Sequence, residues 1–121
     1  MSSTKKDLFC PGKLYQLKFD RSRYPHARQI GVYGSDGKVI ILREHTILMY
    51  INAFAVSDDN PNKYNPRYYH SENKDIKEDQ EKCSWCFVFL YKKEMVYLFV
   101  EHHRSKDTCM ETLSHWTTRI H

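Results

Sequence analysis

The chain reads as a mainly β fold: a small antiparallel barrel of five to six strands interrupted by one long polar insertion. Three observations predict it. Large rings and aliphatic side chains alternate with a period of two through residues 86–100. Gly34-Ser35-Asp36-Gly37 is a glycine-bounded turn between two apolar runs. The composition is rich in strand formers and poor in the best helix former, with nine Tyr and six Phe against Ala27, Ala53 and Ala55 alone.

Each element follows in order. Residues 1–9, polar through Asp7, read as frayed, and Cys10-Pro11-Gly12 is a turn signal. Leu14 to Phe19 forms a short strand with Tyr15, Leu17 and Phe19 on one face. Residues 20–28 are polar and broken by Pro25, hence a loop. Residues 30–33 and 38–42 flank the glycine-bounded turn as a hairpin. The run Val39-Ile40-Ile41-Leu42 is continuously apolar, so both faces of that strand are expected to be covered. Residues 46–51 make another strand; their β-branched content argues against a helix over 39–54. Residues 57–82 hold one aliphatic residue, Ile76, and form a polar insertion, disordered or helical in part over 71–81. Residues 86–91 and 95–101 form the strongest hairpin, apolar on both faces and therefore central. Residues 104–114 read as a polar tail, and 115–120 as a last edge strand anchored by Trp116.

A length of 121 residues fits one domain, 1–121, able to bury roughly two-thirds of its unfolded surface without disulfides. No apolar signal-peptide run opens the sequence and no stretch is long enough to span a bilayer, so a cytoplasmic location is expected. Cys10, Cys83, Cys86 and Cys109 are then expected as thiols or metal ligands. The net charge of +4 is uneven: residues 1–28 carry seven bases against two acids, whereas 57–82 carry seven acids and five bases. The first region is able to meet phosphate or an acidic partner, or simply to be a solvated basic surface.

Chemical motifs are sparse. Cys83-Ser84-Trp85-Cys86 has the spacing of half a zinc site, with Cys10, Cys109, His102 or His103 as possible further ligands. No second such pair exists, and a strand beginning near Cys86 would point the two thiols apart, so no metal or other cofactor is favoured. One of His102-His103 offers a metal ligand or proton shuttle, as does Glu44-His45 in the turn at 43–45, but a polar strand end or turn is the simpler reading of each. No phosphate loop, nucleophile elbow or HExxH is present, so nothing supports catalysis. Two segments mix bases with rings: Arg21, Arg23, Tyr24, His26 and Arg28, then Lys63, Tyr64, Arg67, Tyr68, Tyr69 and His70. Tyr and Arg are favoured anchors of protein interfaces, and the same mixture can stack and hold single-stranded nucleic acid. Acids at 72, 75, 78, 79 and 81 beside the second segment repel phosphate and tip the balance to a protein partner. The other readings are a nucleic-acid barrel using Arg21, Arg23, Arg28, Lys63 and Arg67, and loop tyrosines folded against the barrel.

The order of residues 11–17, 37–42, Arg43-Glu44-His45, 46–51, 87–91 and 96–100 resembles small SH3-like β-barrel proteins of phages and other mobile elements. The likeness covers the strands, about half of the chain, and the insertion at 57–82 departs from it. It implies an SH3-like barrel and a host or viral protein partner, with the host cytoplasm as location. It supplies no active-site residues. An open sheet edge also allows a dimer by strand pairing.

Overall fold

The computed structural model describes residues 9–57, 61, 64, 83–100 and 106–120. These form seven antiparallel strands and one helix: β1 Leu14–Leu17, β2 Gln29–Gly34, β3 Val39–Arg43, β4 Ile47–Ser57, β5 Cys83–Tyr91, β6 Glu94–Val100, α1 Lys106–Ser114 and β7 Thr117–Arg119. One sheet holds all seven strands in the order β3-β2-β6-β5-β4-β1-β7 and curls into a half-barrel. A register shift between Tyr50 and Asn52 on β4 supplies a local bend.

The period-two pattern lays the β5–β6 hairpin across the middle of the sheet, from Trp85 opposite Val100 to Tyr91 opposite Glu94. Lys92 and Lys93 turn it with φ of 49° and 67°, both left-handed, as a two-residue hairpin loop demands. The other hairpin turns as the glycines require: Gly37 has φ 84° and its N–H donates to Gly34 O at 3.0 Å. At Gly34 a side chain would meet Ile40 Cδ1 and Asp36 Oδ1 at 3.2 Å, so the turn closes onto bare backbone.

Both faces of the central strands are buried, which splits the interior in two. On the inner face Tyr15, Leu17, Val32, Leu42, Leu48, Tyr50, Phe87, Phe89, Val96 and Leu98 form the main core. Phe9 plugs it, with ring centroids 4.7 Å from Tyr15 and 5.6 Å from Tyr50. On the outer face Val56, Cys86, Val88 and Tyr97 are buried, with Tyr33, Phe54, Met95 and Phe99 packed against them.

Three elements differ from the sequence expectation. Residues 106–114, read as a polar tail, are the helix α1; Cys109, Met110 and Leu113 fall on one side and enter the main core. Three apolar side chains at helical spacing suffice because the inner face of the curl is open to them. β3, expected to be covered on both faces, is the terminal strand, and Val39 and Ile41 stand exposed. A continuous apolar run does not distinguish a central strand from an edge strand. β4 also runs on past residue 51 to Ser57. The insertion lies outside the described residues except for 57, 61 and 64. No described helix is long and apolar enough to cross a membrane.

Candidate binding surface

The loop at 20–28 follows β1 and ends where β2 begins, and its backbone is held from several sides. Lys18 N–H donates to Trp116 O and Asp20 N–H to His115 O, prolonging the β1–β7 ladder into the loop. The Asp20 carboxylate accepts from Ser22 N–H at 3.0 Å and Ser22 Oγ at 2.7 Å, an Asx turn. Those hydrogen bonds and the nearby cations hold its carboxyl below the usual range. Arg23 and Tyr24 N–H both donate to Asp20 O, and Ala27 N–H donates to Tyr24 O.

Arg21 locks the far end. Its guanidinium donates to Ala27 O at 2.6 Å and to the Glu44 carboxylate. Glu44 also accepts from Phe19 N–H at 3.3 Å, and its own N–H donates to Arg28 O. Desolvation acts to raise the Glu44 carboxyl, but the Arg21 and Phe19 hydrogen bonds outweigh it, and the group lies below its usual range.

What remains displayed is Arg23, Tyr24, His26 and Arg28. Arg23 Nε lies 3.5 Å from Asp20 Oδ2 yet its side chain is 57% exposed. Arg28 Nη1 bonds back to Ala27 O at 2.9 Å and is exposed. Tyr24 is half-buried, meeting Trp116 edge-on at 6.2 Å. Beside the loop lies an open cleft of about 320 Å³, whose walls include Lys18, Arg21, Ser114, His115, Thr117 and Thr118. Apart from Arg21, these residues escaped the sequence reading. The sequence shows Lys18 only as one base of residues 1–28, and His115, Thr117 and Thr118 only as part of a last edge strand; they reach the cleft through the folding of α1 and β7 against β1.

Tyr64, the described residue of the second ring-and-base segment, lies away from the loop. Tyr64 stacks on Tyr33 at 5.0 Å and meets Phe99 edge-on at 5.1 Å, on the outer face. Tyr33 is near the end of β2 remote from the loop, about 17 Å along the strand from Arg28 at the usual rise per residue. Tyr64 thus spends its ring on the second apolar cluster and stays 37% exposed. Lys63, Arg67, Tyr68 and Tyr69 lie outside the described residues, as do His102 and His103.

The sheet holds Cys86 and Cys109 apart. Cys83 and Cys86 sit on one extended strand, β5, with no backbone turn between them. Cys86 is fully buried on the outer face, where burial pushes its thiol well up and disfavours the thiolate that binds metals. Cys109 is buried in the inner core, across the sheet from Cys86. Cys10, Cys86 and Cys109 stand outside any disulfide. Among the described residues no three His, Cys, Asp or Glu side chains converge as a metal site would need.

Family models, curated proteins and solved structures yield no match to this chain, so its functional reading rests on the geometry of the loop, the cleft and the sheet.

Proposed function

We propose that this chain is a small, non-catalytic binding module of SH3-like type, of viral or mobile-element origin, that docks on a host or viral protein through the loop at 20–28. The observation that carries the reading is preorganisation. The Asx turn at Asp20 and the Arg21–Glu44 pair hold the loop, which carries Arg23, Tyr24 and Arg28 and lines the cleft with Asp20 and Arg21. A loop already in shape loses little freedom on docking, so more of its contact energy appears as affinity. Tyr and Arg are the residue types that dominate such contacts.

Charge favours a protein over a nucleic acid. Two of the loop's guanidiniums already face carboxylates, Arg21 at Glu44 and Arg23 at Asp20. That pairing weakens the field a phosphate backbone would feel.

The test is affinity capture from the native cell with the wild type and with an Arg23→Ala/Arg28→Ala chain. Both side chains are exposed, so the melting temperature is expected to stay within a few degrees of the wild type. Loss of one specific captured protein supports the reading; undiminished capture overturns it. Binding of a single-stranded oligonucleotide that falls steeply with salt would transfer the loop to the nucleic-acid reading.

A further inference from the structure

We propose that β3 is a docking edge for a second copy of this chain, which adds its own β3 antiparallel across a two-fold axis at Ile41. β3 ends the sheet, so no described strand pairs with its outer side. The ladder with β2 decides which groups point there. Gly34 N–H donates to Lys38 O and Glu44 N–H to Arg28 O, while Val32 pairs with Ile40 and Ile30 with Leu42. Backbone direction alternates along an antiparallel pair, so the N–H and C=O groups of Val39, Ile41 and Arg43 face away from β2. Their side chains share the outer face, where Val39 and Ile41 are 58% and 52% exposed. Both lean over Gly31: a Cβ there would lie 3.6 Å from Val39 Cγ1 and 3.8 Å from Ile41 Cδ1. An edge with no described partner strand and with exposed β-branched side chains suits strand addition.

Self-complementarity selects a second copy as the occupant. A two-fold interface sets one surface against itself. With Ile41 at the axis, Ile41 meets Ile41 of the partner subunit, and Val39 meets Arg43 of the partner subunit at both ends. The two Arg43 side chains then stand four residues apart, about 14 Å at the strand rise. That exceeds the screening length of about 8 Å at physiological salt. An apolar centre therefore closes without opposing like charges. One strand edge offers less than the roughly 800 Å² per partner of a standard interface, so the dimer is reversible and follows concentration.

Sedimentation velocity of the full chain over a series reaching about 1 mM tests this. The wild type is expected to pass from monomer to dimer as concentration rises, with little dependence on salt. Ile41→Lys and Ile41→Glu should each remain monomeric, because like charges would meet at the axis. An equimolar mixture of those two variants should recover a heterodimer. Val39→Glu, which sets a carboxylate against Arg43 of the partner subunit, should tighten association several-fold. Circular dichroism of each variant should match the wild type, since the altered positions are half exposed or more. A wild type that stays monomeric throughout the series overturns the proposal. So does a dimer indifferent to both Ile41 variants, or a mixture that fails to associate.

Discussion

Arg21 acts on its own chain before it acts on any partner. Its guanidinium joins the end of the loop, at Ala27 O, to the Glu44 carboxylate just after β3. Removing it should loosen the loop while leaving the core in place. Arg21→Ala is therefore expected to lower the melting temperature by no more than a few degrees, as for other partly exposed pairs. The same change should speed amide exchange over residues 22–27 without affecting β5 and β6. The Glu44 carboxyl should titrate closer to its ordinary value. In the wild type that depressed carboxyl contributes stability above the ordinary carboxylate range and loses it as pH falls through the folded value. In Arg21→Ala the loss tied to Glu44 should shrink, which a pH series of melting curves reads directly. The sequence made Arg21 visible as one of several bases in a polar loop. It did not reveal the carboxylate 23 residues away that claims it, because that pairing exists only once β3 returns beside the loop.

Elements were legible where the local pattern and the tertiary role agree. The 86–100 hairpin and the 34–37 turn fall where alternation and glycine place them, because their side-chain periods coincide with what the sheet buries. α1 was illegible for the converse reason. Its sequence is mostly polar, with Cys109, Met110 and Leu113 as its core-facing residues, and propensity alone does not single out such a segment. Its stability must come from docking rather than from the helix itself. Leu113, fully buried, carries much of that docking. Leu113→Ala should cost about 2–5 kcal/mol, the range for a buried leucine that leaves a cavity. Urea unfolding is the measurement. A cost near that of an exposed substitution would mean that α1 is not part of the cooperative core. β3 carries the opposite lesson. Its run of Val39 to Leu42 matches a doubly covered strand, yet it ends the described sheet, and Val39 and Ile41 on one face stand exposed.

At the scale of the whole molecule, the sheet is a wall with an apolar cluster on each side, and tyrosines are built into both. Tyr15 and Tyr50 lie in the inner core and Tyr97 in the outer one. Burial raises all three phenols, and Tyr50 is pushed up to about 12. A phenol raised in the folded state leaves stability intact below its unfolded value, near 10, and removes it as pH climbs through the folded value. Alkali should therefore attack both clusters together, between about 10 and about 12. Absorbance of the phenolate, followed with circular dichroism, should show Tyr15, Tyr50 and Tyr97 ionising only as the sheet is lost. Tyr50→Phe removes the most strongly shifted phenol, so its stability should decline less across that window than the wild type's. If every phenolate instead forms near 10 while the circular dichroism stays native, the rings are not sealed inside the half-barrel, and the two-sided packing assigned to it fails with them.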